Sequence, residues 1–323
     1  MLLGLTLFTG AARAQNCVVG VEMDAATRTA LEATAQRYLE MSIRGDAAGL
    51  RQNSVSSLSA AFSGVEEALK VNQGSLAGAQ AAVRPPFLLT ADGQGPVPRA
   101  EFLCGVFGKF GQTSDSAVFV LTDLPPGRYG LTILDVKGGS DPLTMTLVLQ
   151  QSGADWRLAG LYVRSPRAWG HDGAWFADRA REFKAKAQNH NAWLYYREAI
   201  FLTTPVDFMS TLATDKLYDE ILTVTPNDMP ANGSAVDLNA GGKVNRWTDI
   251  FPMAVKDDFD AEVRYSVADI SDSKKTYDQN VAIIKAVAVK FPELRDGFTG
   301  IVARAVDPSG KDYGTLLSVK DLK

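Results

Sequence analysis

Across 24–44 apolar side chains recur at helical spacing, with Leu31, Ala35, Tyr38 and Leu39 on one face. The pattern predicts a helix with Asp24 as N-cap and Gly45 just past its end, where a glycine tolerates positive φ. Shorter helical stretches follow over 47–82, broken by Gly64, Gly74 and Gly78. Arg84-Pro85-Pro86 ends this helical part, because proline cannot continue a helix. Period-two patterning then takes over. Runs at 102–107, 117–122, 129–136, 143–150 and 156–163 are predicted as strands of one antiparallel meander. Turn segments such as Pro125-Pro126-Gly127 and Ser152-Gly153-Ala154-Asp155 separate them. In the run 143–150, Leu143, Met145, Leu147 and Leu149 alternate with Thr144, Thr146, Val148 and Gln150. That alternation predicts one buried face and one more polar face.

The second half reads differently. A Pro- and Gly-containing connection at 165–172 leads to a helix marked by Phe176, Ala180, Phe183 and Ala187. The next helix, over 191–202, is apolar nearly all round, as buried helices are. Pro205 stops it, and a third helix is predicted over 213–222. The helix pair resembles a tetratricopeptide unit, but one copy is too few for an array. The stretch 225–243 is rich in Pro, Asn and Gly and reads as loop. Beyond it come a strand over 259–270, a helix carrying Tyr277, Val281, Ile284, Ala288 and Phe291, and a hairpin of 298–306 with 313–319. The fold class is therefore α+β: a helix-plus-antiparallel-sheet N-terminal domain over 15–164, a helical bridge over 165–223 and a small α+β domain over 224–323.

Two short motifs suggest kinship. The long helix closes on Arg44-Gly45-Asp46-Ala47-Ala48-Gly49-Leu50, and the last strand of the meander reads Asp155-Trp156-Arg157-Leu158-Ala159-Gly160-Leu161-Tyr162. Both resemble the corresponding parts of the nuclear-transport-factor-2-like (cystatin-like) superfamily, over roughly residues 24–164. The resemblance implies a cone in which a curved sheet wraps a helix and leaves a pocket; it implies little about function. Leu124-Pro125-Pro126-Gly127-Arg128-Tyr129 is similar instead to a turn of small prealbumin-like β-sandwiches, the alternative architecture for this domain.

Residues 2–8 form a short apolar run followed by Ala12-Arg13-Ala14, a small-x-small cleavage pattern. The run is too short to span a bilayer, so 1–14 is expected to be a signal peptide, although no Lys or Arg precedes it. No later segment reaches the roughly 18 apolar residues of a membrane helix. A periplasmic or secreted location follows. The two cysteines, Cys17 and Cys104, are expected to form a disulfide there.

Of the 323 residues, 22% are charged and 46% hydrophobic, which excludes wholesale disorder. The formal net charge of −4 leaves no basic field for nucleic acid. Two histidines and two cysteines exclude most zinc sites, and no metal or cofactor is expected. Asp257-Asp258-Phe259-Asp260 lacks EF-hand spacing and reads as a solvated acidic loop. No Gly-x-Ser-x-Gly elbow, phosphate loop or dinucleotide fingerprint occurs.

Weak catalytic candidates are His171 with Asp172, in Gly170-His171-Asp172-Gly173, and the strand-flanking Asp123 and Asp135. The segment fits a helix start with Asp172 as N-cap better, and His190 fits a capping or surface position. Aromatic residues crowd between 169 and 196. Among them Trp169, Trp175, Trp193 and Tyr196 are the candidate binding residues, for a small apolar ligand or a protein partner. The expected function is non-catalytic ligand or protein binding. The alternative is an enzyme that uses a cone pocket for proton transfer or hydrolysis.

Overall fold

The computed structural model describes residues 15–107, 111–255 and 257–322. The expected signal peptide lies outside the described residues. The chain divides into two compact units: Met1–Ser165 with Thr204–Leu212, and Pro166–Thr203 with Ala213–Lys323.

The first unit begins with β1 (Gln15–Val19) and α1 (Ala25–Ile43). Asp24 caps α1 by accepting the Thr27 amide at 2.8 Å. Gly45 takes φ +67°, and Asp46 then caps α2 (Ala47–Gln52) through the Gly49 amide. The Arg44-Gly45-Asp46 tripeptide thus serves two helix ends. Short helices α3 (Ser56–Ala60), α4 (Ser63–Val71) and α5 (Gln73–Leu76) follow. The strands are β2 (Gln80–Val83), β3 (Phe87–Ala91), β4 (Val97–Cys104), β5 (Ala117–Leu124), β6 (Gly127–Lys137), β7 (Leu143–Ser152) and β8 (Asp155–Arg164).

The structure splits the expected meander. Strands β6, β7 and β8 join β1, β2 and β3 in a six-stranded sheet, whereas β4 and β5 form a second sheet. Leu31, Ala35, Tyr38 and Leu39 of α1 pack with Leu134, Leu147 and Leu149 on one face of the larger sheet. Leu131, Ile133 and Val148 on its other face pack with Phe102 and Phe119 of the second sheet. Hence β7 has no polar face: Thr144, Thr146 and Val148 are all buried, because the second sheet covers the side left to solvent by the sequence pattern. Cys17 of β1 and Cys104 of β4 are disulfide-bonded, 87 residues apart, and tie one sheet to the other. Closing a loop of that length contributes about 4 kcal/mol through the unfolded chain.

The second unit opens with a hairpin of β9 (Arg167–Ala168) and β10 (His171–Asp172), then α6 (Gly173–Ala185) and α7 (Asn189–Thr203). The chain then returns to the first unit, where β11 (Met209–Thr211) pairs with β5 of that unit's smaller sheet. The chain continues with α8 (Leu212–Leu222), β12 (Val236–Ala240), β13 (Lys243–Val255), β14 (Asp258–Ser266), α9 (Ser273–Lys290), α10 (Leu294–Gly297), β15 (Gly300–Val306) and β16 (Asp312–Ser318).

The sheet runs β12-β13-β14-β15-β16 and is antiparallel except for β14 and β15, which α9 joins in parallel. The stretch read as a loop over 225–243 therefore contains β12. Its Val236, Leu238 and Ala240 alternate, a signal too short to stand out among the surrounding Asn and Gly residues. The segment read as a bridge over 165–223 places α6 and α7 in the same core as this sheet. Phe176, Phe183, Trp193 and Tyr195 pack with Phe259, Ile284 and Phe298. A helix apolar on all sides needs such a sheet face to leave water. Among the described residues, no helix is long and apolar enough to cross a membrane.

Candidate functional site

The connection between β9 and β10 is two residues long, Trp169-Gly170, with φ of +50° and +75°. A two-residue hairpin turn of the type that matches strand twist requires positive φ at both positions, and Asn or Gly usually fills the first. A tryptophan there is strained by about 1–2 kcal/mol. It is held by what its indole touches. The ring stacks on Phe259 at 5.4 Å and 11° between planes, and Nε1 donates to the Asp257 carbonyl at 2.7 Å. Phe259 stacks in turn on Phe298, so the turn is fastened to a column of rings reaching the core.

A second stack stands almost at right angles to the first. The His171 imidazole lies on the Trp175 indole, with centroids 3.8 Å apart, and Trp169 meets both rings edge-on at 5.8 and 6.1 Å. The local sequence explains this. Asp172 is the N-cap of α6 and accepts the Trp175 amide at 3.0 Å, which folds the residue before the cap over the first helical turn. Gly173 is required below: a Cβ there would meet the Thr203 hydroxyl at 2.3 Å and the Ala199 carbonyl at 2.9 Å. Trp169, His171 and Trp175 are all partly exposed. They form a rigid three-ring platform at the surface of the second unit.

The other sequence candidates lie elsewhere. Trp193 and Tyr196 are 4% and 1% exposed and belong to the core. Arg197 covers the Trp193 ring at 4.9 Å, and the Tyr196 hydroxyl donates to Glu220, which also takes a two-nitrogen contact from Arg181. Burial and the Glu220 carboxylate push the Tyr196 phenol upward. Asp172 is occupied by its capping bond and is not joined to His171 by any hydrogen bond among the described residues. Asp123 is exposed at φ +50° near the end of β5, and Asp135 is engaged by Arg84 through two nitrogens at 2.6 and 3.0 Å. Neither is an inward-facing base. Asp258 opens β14 and Asp260 is 2% exposed, accepting the Thr299 hydroxyl, so 257–260 is a strand start instead of a solvated loop. Burial raises the Asp260 carboxyl.

Two chemistry-bearing groups carry no sequence motif. Burial pushes the Glu198 carboxyl of α7 up to about 7, partly offset by Arg197. It sits in a helix whose apolar composition masks it. His190 is not a simple cap. Its Nδ1 meets Glu293, its Nε2 meets Asp228 at 3.0 Å, and its ring stands edge-on to Phe291. These partners lie 38 and 103 residues away along the chain, so no local spacing announces them. Comparison of the chain with known protein families, curated proteins and solved structures finds no match.

Proposed function

We propose that this protein is an exported, non-catalytic binding module that recognises a small, largely apolar ligand by its flat face, through Trp169, His171 and Trp175. The observation that carries this reading is the platform itself. A strained tryptophan, fastened at both its ring and its Nε1, meets two further aromatic rings that are partly exposed. Backbone strain is retained where the surroundings over-determine it, which is common at ligand clamps. Preformed aromatic surfaces bind with little ordering cost. The Cys17–Cys104 disulfide supports export to a periplasm or the cell exterior. The packing of α1 on an antiparallel sheet supports the nuclear-transport-factor-2-like reading of residues 24–164.

The test is isothermal titration of the full chain with indole and with phenol. Saturable binding of at least one probe is expected, weakened about tenfold by Trp175→Ala, a change of about 1.4 kcal/mol. No saturable response, or equal affinity in the variant, overturns the reading.

A further inference from the structure

The chain leaves the carboxyl end of β14, turns through 267–272 and enters α9 before returning as the parallel strand β15. A crevice of about 480 Å³ lies at this point, within the second unit. That volume suits a small ligand, and the space beyond the carboxyl end of a parallel strand is where a crossover helix lifts the chain off the sheet. The opposite wall is the start of β13. It is brought close by the β12–β13 turn, whose Gly241 and Gly242 have φ of +62° and +74°.

The floor is buried, polar and internally satisfied. Asn245 donates to the carbonyls of Leu238, Ala240 and Lys243 and accepts from Gln279 at 3.0 Å. The Tyr265 hydroxyl donates to Asn280 at 2.7 Å, and the Thr276 hydroxyl to the Asp272 carbonyl at 2.9 Å. A saturated floor fixes the shape and leaves recognition to the rim.

The charges of the rim are unequal in availability. Asp272 accepts the Lys275 amide at 3.0 Å as N-cap, so the first turn of α9 is already capped from within. Asp269 accepts both the amide and the hydroxyl of Ser271. The cations are freer. Arg246 meets Asp237 through one nitrogen at 3.2 Å. The ammonium groups of Lys243 and Lys275 make no hydrogen bond or ion pair among the described residues, and Lys275 acts on Asp269 only through space. Val244, 61% exposed, and Val267 supply an apolar edge beside them.

We propose that this crevice binds a small organic oxyanion, a carboxylate or a phosphate monoester. Lys243, Lys275 and Arg246 hold its charged group, and its apolar remainder lies on Val244 and Val267. The site is separate in its residues from the aromatic platform and does not depend on it.

Isothermal titration of the full chain with phenylacetate and with phenyl phosphate at low salt tests the proposal. Saturable binding of at least one probe is expected, and the stronger of the two identifies the charged group. Binding should weaken about tenfold in the double variant Lys243→Gln/Lys275→Gln and fall as sodium chloride is raised. Both lysines are exposed, so the variant should unfold at the same urea concentration as the parent. Trp175→Ala should bind as the parent does, which separates this site from the platform. No saturable binding, unchanged affinity in the double variant, or loss of binding in Trp175→Ala overturns the proposal.

Discussion

The His171 imidazole lies flat on the Trp175 indole, 3.8 Å between centroids and 8° between planes. One hydrogen bond, from the Trp175 amide to Asp172, sets the position of both rings, because the cap fixes the first helical turn and the direction of the chain entering it. Replacing Asp172 by Ala should therefore cost about 1 kcal/mol of stability and also loosen the stack. Urea unfolding measures the first effect, and the near-ultraviolet dichroism of the folded protein the second. A stability loss with an unaltered aromatic spectrum would show that the stack holds without the cap.

Trp169 sets strain against contact. Trp169→Asn relieves a positive-φ penalty of about 1–2 kcal/mol. It also removes the stack on Phe259, the apolar area that the indole buries and the bond to the Asp257 carbonyl, together worth about 3–4 kcal/mol. The variant should be less stable than the parent by about 2 kcal/mol in urea unfolding. Equal or greater stability would mean that strain outweighs the ring contacts.

Glu198 makes stability depend on pH. Its folded-state value of about 7 lies above the ordinary 4.5, so the folded protein resists ionising a group that the unfolded chain ionises readily. The contribution of Glu198 to stability is greatest below about 4.5, falls as pH rises to about 7 and is level above that. Glu198→Gln should raise the urea midpoint at pH 8, by on the order of 2 kcal/mol, and leave it unchanged at pH 4. A gain of the same size at both pH values would exclude ionisation as its cause.

His190 joins three segments of the second unit: the start of α7, the loop after α8 at Asp228 and the α9–α10 connection at Glu293. The ring bridges the two carboxylates through both nitrogens, and alanine leaves them facing a gap. His190→Ala should cost about 1–3 kcal/mol, more than an average surface substitution. Hydrogen exchange should rise at Asn191 and around Glu293, where the Asn191 side chain also bonds the backbone. Exchange confined to other regions would show that the histidine does not hold these segments together.

Local pattern alone determined much of this protein. Asp24, Gly45 and Asp172 mark helix ends because capping needs only neighbours in sequence. The α+β class and the Cys17–Cys104 bond were legible for similar reasons: periodicity reports which face is wet, and two thiols have only each other. What lay beyond reach depended on which layer covers which face. Thr144 and Thr146 look solvent-facing in sequence, yet a second sheet buries them. The four aromatic candidates were indistinguishable by composition. Only packing sent Trp193 and Tyr196 into the core and left Trp169 and Trp175 at the surface. The burial of Glu198 and the contacts of His190 with Asp228 and Glu293 arise only in the packed chain. Tertiary structure alone decides them, because burial and ionic contact depend on distance in space, and sequence spacing does not encode that distance.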